Sequence, residues 1–193
     1  MNAVEHIVEC YFRYCKGCLT ITDAKIKSGN NRQADLLAYN LETKEQYHVE
    51  SSVTHCKSWW HSVEDLREVF DKKFRGVPAS RKGRKTDYTK GKKYFNSIIQ
   101  TYRHMGFAPS KIHRIFVTWT VTHEIGLKKF LSDYNKKYGI RVCVLSFRDQ
   151  ILPELRKAIS TSNYDDEILR TLSLLQQCDL QIPPSKSTRD DGA

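Results

Sequence analysis

Two carboxylates stand where carboxylates are costly. Asp35 lies inside the apolar run Ala34-Asp35-Leu36-Leu37-Ala38, and Glu50 closes the run Tyr47-His48-Val49-Glu50. Burial opposes the ionised form of an acid, so an acid in the middle of a sheet strand is rarely there for stability. A short polar turn at 40–44 separates the two runs, and antiparallel strands joined by such a turn bring their residues together. Converging carboxylates form a hard-oxygen site suited to Mg²⁺. Such an ion activates water, orients phosphate and neutralises charge in an in-line displacement. The competing reading is that one acid faces solvent on an edge strand, or pairs with a basic neighbour such as Arg32.

The charge of the chain points to the same chemistry. Lys and Arg number 32 against 22 Asp and Glu, a net +10. Ten of the 32 fall in residues 72–93 with one acid, Asp87, so this stretch carries +9. Its three glycines, its proline and its Ser/Thr predict a loop. Arg81, Lys82, Arg84, Lys85, Lys90, Lys92 and Lys93 are the candidate phosphate contacts, with Tyr88 and Tyr94 as stacking surface. A basic loop beside a metal site implies phosphodiester hydrolysis with a nucleic-acid partner; a solvated surface loop is the plainer alternative.

The elements that must position these residues follow from periodicity. Apolar residues at helical spacing predict a helix over 3–15, stopped by Gly17. Strands are expected at 19–22, 32–39 and 45–53, with a turn at 24–31, an antiparallel meander. Ser62 with Asp65 forms a capping box for a helix to Phe74. A helix at 92–105, a strand at 112–121, a helix at 124–138 and a strand at 140–147 follow. The last strand–helix–strand unit predicts a parallel pair. Helices at 149–160 and 164–178 complete a single domain over 1–182, and 183–193 reads as a disordered tail.

This order, with an acid on the second strand of the meander and another on the third, resembles the PD-(D/E)xK nuclease superfamily. The resemblance covers residues 3–147. It rests on Ala34-Asp35-Leu36-Leu37-Ala38 and Val49-Glu50-Ser51-Ser52, with fourteen residues between Asp35 and Glu50. It implies an α/β, restriction-endonuclease-like core: a central mixed β-sheet flanked by helices, here with additional C-terminal helices. It also implies Mg²⁺ (or Mn²⁺) held by Asp35, Glu50 and the main-chain carbonyl of Ser51, with Glu5 acting directly or through water and Glu9 as its alternative. The family's motif lysine, two residues after the Glu, is replaced by Ser52. That lysine positions water and stabilises developing charge. Lys57 is the nearest downstream replacement, so Asp35, Glu50, Ser52 and Lys57 form the expected catalytic set.

Other features weigh less. Cys15 and Cys18 form a CxxC, without the second pair that a structural zinc site requires. His48 shares a strand face with Glu50 and Ser52, as a site-edge group or a sheet-surface histidine. Trp59 and Trp60 read as cover for the core ahead of base stacking, Trp119 as core, and His123 with Glu124 as a helix cap. No phosphate-cradling GxxxxGK[ST], GxGxxG after a strand, or GxSxG is found. With no signal peptide or apolar span and six cysteines read as reduced thiols, the expected location is cytoplasmic, at the nucleoid in a bacterium, with no membrane partner. The expected function is a Mg²⁺-dependent DNA endonuclease of a restriction, defence, repair or mobile-element type; cutting both strands with one site per chain implies a two-fold homodimer or a partner. The alternatives are a catalytically inactive nucleic-acid-binding protein on the same fold, and an interaction protein with an acidic partner. An RNA substrate also stays open.

Overall fold

The computed structural model describes residues 2–27, 32–53, 61–77, 88–121, 124–160 and 162–181. Its centre is a five-stranded mixed sheet in the order β1 (Cys18–Lys25), β2 (Gln33–Asn40), β3 (Gln46–Ser52), β4 (Ile112–Thr118), β5 (Arg141–Ser146). The meander β1–β2–β3 is antiparallel, and β3–β4 and β4–β5 are parallel. Both parallel pairs need helical crossovers. The first is α2 (Val63–Phe74) with α3 (Tyr88–His104), and the second is α4 (Glu124–Tyr138).

Two apolar layers sandwich this sheet. On one face α1 (Ala3–Cys10) packs Val8, with Tyr11 and Phe12 just beyond it, onto Leu36, Ala38, Val49, Ile115 and Val117. On the other, α2 and α4 bury Phe70, Phe74, Phe130 and Tyr134 against Phe116, and α3 buries Ile98 and Tyr102 against Leu37 and Ile112. Phe70 is fully buried and touches four aromatic rings, so it fixes α2 on the sheet. Outside α1 lies a further helical layer, α5 (Leu152–Ala158) and α6 (Glu167–Gln181), joined to it through Cys10, Leu155, Ile159 and Leu169.

Several boundaries differ from those the sequence implies, each with a local cause. The first helix leaves α geometry after Cys10 and finishes in a wider turn, Tyr11–Cys15, with Lys16 N–H donating to the Tyr11 carbonyl at 3.3 Å. β1 runs to Lys25, through residues read as a turn, because its ladder with β2 extends to Lys25–Gln33. β4 stops at Thr118, and Trp119 is half-buried against Phe147. α6 starts at Glu167, later than residue 164, because Asp166 accepts the N–H groups of Ile168 (3.0 Å) and Leu169 (3.1 Å) and acts as its N-cap. The basic stretch is not all loop: Lys72 and Lys73 end α2, while Lys90, Lys92 and Lys93 lie on α3. Arg81, Lys82, Arg84, Lys85, Lys57, Trp59, Trp60, His123 and the tail from Pro183 lie outside the described residues.

Candidate active site

The strand register creates the site. β2 and β3 pair from Tyr39–Gln46 to Leu36–Val49; the next antiparallel step would set Asp35 opposite Glu50. There the strands part, while β2 continues with β1 to Gln33. Ser51 N–H donates to the Asp35 side chain, at Oδ2, over 2.8 Å. The fork opens a cleft of about 430 Å³ lined by Asp35, His48, Glu50 and Lys73, with Arg32, Gln33 and Lys72 also on its wall.

Each carboxylate has one oxygen fastened to the protein and the other turned to a common cation. Glu50 Oε1 pairs with His48 Nε2 at 2.9 Å, while its Oε2 accepts from the Lys73 amine. Asp35 Oδ1 lies 3.6 Å from Lys73 Nζ. Lys73 comes from the last turn of α2 and was not expected at the site. It reaches across because Phe70 and Phe74, on either side, are buried against the sheet.

A buried chain of polar groups stands behind Glu50. His48 Nδ1 is 2.6 Å from the Tyr102 hydroxyl, and both residues are almost wholly inaccessible. Ionised Glu50 only accepts, so Nε2–H donates to it, while Nδ1 pairs with the Tyr102 hydroxyl. This fixes the imidazole and, through it, the Glu50 rotamer. Beyond Tyr102 the buried Arg114 guanidinium lies 5.7 Å from its ring centroid. Arg114 Nε has no hydrogen-bond partner among the described residues.

The electrostatics follow from this packing. Burial, then the neighbouring Glu50 charge, raise the Asp35 carboxyl from its ordinary 3.8 to about 6, against the opposing pull of Lys73. For Glu50 burial also pushes upward, but the His48 hydrogen bond and charge, followed by Lys73, hold its carboxyl below the usual range. Burial works against the Lys73 cation, yet Glu50 and then Asp35 outweigh it and raise its pKa. Burial raises the Tyr102 phenol, so it keeps its proton.

The expected site residues divide accordingly. Asp35, Glu50 and Ser51 come together. Ser52 sits exposed at the end of β3 and has no part in the carboxylate contacts. Glu5 is the capping partner of Asn2: its oxygens accept from Asn2 N–H and Nδ2, each at 2.7 Å. Its charge still reaches Asp35 as the smallest of the effects raising that carboxyl. Glu9 binds Thr20 Oγ1 at 2.8 Å, tying α1 to β1. Among the described residues Arg32 pairs with no carboxylate: its guanidinium lies 4.6 Å from the Tyr94 ring centroid and donates to the Lys72 carbonyl at 3.4 Å.

Lys73 had one readable signal. Leu66, Phe70 and Lys73 fall at i, i+4 and i+7, so the lysine occupies the apolar stripe of α2. A lysine there needs a buried anion, and Glu50 supplies it.

These groups suit a hard divalent cation. The donor set is all oxygen, and Lys73 already holds a positive charge between the two inward-facing oxygens. Burial first, and the Glu50 charge second, disfavour the ionised Asp35 carboxyl, and a bound cation would favour that ionised form. No family model, curated protein or solved structure matches the chain, so these side chains and their geometry carry the functional argument.

Proposed function

We propose that the chain is a Mg²⁺-dependent DNA endonuclease hydrolysing phosphodiester bonds, in a restriction, defence, repair or mobile-element setting. The observation that carries this reading is the Lys73 amine between Asp35 and Glu50 where β2 and β3 diverge. The order of helix, three-strand meander, helices and strand–helix–strand also agrees with the PD-(D/E)xK resemblance. The positive charge missing at Ser52 has a substitute in Lys73, arriving from a helix. That weakens the case for a binding-only protein.

Asp35, Glu50 and the Ser51 carbonyl would hold the metal. When bound, it supplies Lewis acidity at the phosphate and a more acidic water. Lys73 stays protonated, so it acts as a hydrogen-bond donor that orients the attacking water and stabilises charge on the phosphate oxygens, not as a base. His48 and Tyr102 keep Glu50 in one rotamer. Glu5, held by its cap, acts through water. Arg32 and Lys72 at the cleft, with Lys93 on α3, supply backbone contacts that position DNA without reading its bases. Cutting both strands would take two chains about a two-fold axis.

The test is cleavage of supercoiled plasmid, a four-way DNA junction and single-stranded RNA with Mg²⁺, Mn²⁺ or EDTA, using wild type, Asp35→Ala and Glu50→Ala. Metal-dependent DNA cutting lost in both variants supports the reading. Cutting confined to RNA changes the substrate class. Uncut substrates under every condition overturn the enzyme, and DNA then retained with steep salt dependence identifies a binding protein.

A further inference from the structure

A second cluster of ligating side chains lies away from the cleft. His6 and Cys10 are one turn apart on α1 and so share a face. That face meets the start of α6, where Asp166 points back. His6 Nε2 is 2.9 Å from Asp166 Oδ2, and Cys10 Sγ is 3.8 Å from both Asp166 oxygens. One ligand atom from each residue falls within 4.8 Å of the others. Asp166 is itself oriented: its Oδ1 accepts the N–H groups of Ile168 and Leu169, which aims Oδ2 at the histidine.

We propose that His6, Cys10 and Asp166 bind one Zn²⁺, which clamps α6 to α1. Metal–ligand lengths of about 2.0–2.3 Å around tetrahedral zinc separate neighbouring ligand atoms by roughly 3.3–3.7 Å. The sulfur–oxygen spacing of 3.8 Å is already close to that edge, and the nitrogen–oxygen spacing of 2.9 Å must open by about half an ångström. Both moves are within side-chain rotation. The ligand types select the ion. A thiolate, an imidazole and one carboxylate favour Zn²⁺ over Mg²⁺, whereas the all-oxygen set at Asp35 and Glu50 has the opposite preference. The two sites would therefore sort their metals by ligand softness. Cys10 is wholly buried, while the His6 and Asp166 side chains retain 27% and 16% exposure, so the ion reaches the site from their side and water takes the fourth position. Binding exchanges the thiol proton for the metal: the S–H bond breaks, a sulfur–zinc bond forms, and one proton leaves to buffer.

The arrangement also explains a local oddity. A carboxylate that straddles a buried thiol gains only weak S–H donation from it, whereas a bridging cation uses all three groups. Without zinc, the cluster is a His6–Asp166 hydrogen-bonded pair beside a passive thiol, and the experiment separates the two.

The full chain is stripped of metal, checked for its native far-ultraviolet spectrum, and titrated with Zn²⁺ and with Co²⁺. The proposal requires one Zn²⁺ per chain, release of one proton, and a thiolate-to-cobalt charge-transfer band in the near ultraviolet. Cys10→Ser should abolish the band, and His6→Gln, altering a partly exposed side chain, should weaken Zn²⁺ binding at least tenfold. Asp35→Asn and Glu50→Gln should retain both the band and the stoichiometry, so loss of the proposed nuclease reading leaves this one standing. Absence of stoichiometric zinc, a cobalt complex without sulfur character, or a band that survives Cys10→Ser and vanishes with Cys15→Ser or Cys18→Ser overturns it.

Discussion

Replacing Asp35 with Asn should stabilise the metal-free protein while removing the proposed hydrolysis. The carboxyl is raised from 3.8 to about 6, mainly by burial and then by Glu50. Each pKa unit corresponds to about 1.4 kcal/mol, so ionising Asp35 in the folded state costs at most about 3 kcal/mol. The folded state binds this proton more tightly than the unfolded chain does. The stabilising effect is therefore complete below about pH 4 and is lost as pH rises through about 6. At pH 7.5 the wild type has lost it, whereas Asn is isosteric, uncharged and still able to accept from Ser51 N–H. The pull of Lys73 is already contained in this net value, and the remaining exposure of the side chain reduces the gain by screening. A net stabilisation of about 1–2 kcal/mol remains, a rise of roughly 3–6 °C in melting temperature for a chain of this size. Glu50, whose folded carboxyl is depressed, makes the opposite contribution, but it is present in both proteins and cancels in the comparison. The assay is urea unfolding in EDTA at a series of pH values. The stability difference should grow between about pH 4 and 6 and then level off. A variant less stable than wild type at pH 7.5, or a difference independent of pH, would refute the reasoning.

The other expectations concern the groups around this carboxylate. Lys73→Met leaves Glu50 buried with His48 as its remaining partner. Removing one member of a buried pair costs about 3–5 kcal/mol, and because a third of the Lys73 side chain meets solvent about 2–3 is expected in urea unfolding without metal. The same variant should bind Mn²⁺ more tightly, since the competing amine is gone; calorimetry would detect the change. Tyr102→Phe strands His48 Nδ1, at a cost of about 1–3 kcal/mol, and should weaken metal binding or activity about tenfold by freeing the Glu50 rotamer. Gly76→Ala should destabilise by roughly 2–4 kcal/mol in thermal unfolding: Gly76 has φ +70°, and a Cβ there would meet Tyr94 Cβ at 2.5 Å, displacing the end of α2 that carries Lys73.

What the sequence made legible was local or strictly periodic. Asp35 and Glu50 were visible because an acid in an apolar strand is a local contradiction. The capping box at Ser62 and Asp65 and the β4–α4–β5 unit were visible because their spacing is fixed by geometry. Lys73 was hidden by its neighbours, since a lysine among ten basic residues reads as part of the charge run until α2 is placed on the sheet. His48 was ambiguous for a different reason. A strand face is buried or exposed according to what crosses it, and only α3, bringing Tyr102 over β3, decides the matter. Glu5 shows the reverse: a motif position suggested a ligand, and the chain also uses it to cap α1. The pairing of His6 and Cys10 with Asp166 needed a contact between residues some 160 positions apart, which no local pattern encodes.

The most direct test of the central claim, that Lys73 completes a hydrolytic centre with Asp35 and Glu50, is the rate of plasmid cleavage by wild type and Lys73→Met at saturating Mg²⁺. The account predicts metal-dependent cutting by wild type and a rate at least about 100-fold lower in the variant, despite its unimpaired metal binding. Equal rates would show that Lys73 is a structural counter-ion, and an inactive wild type would show that the carboxylate pair serves no hydrolysis.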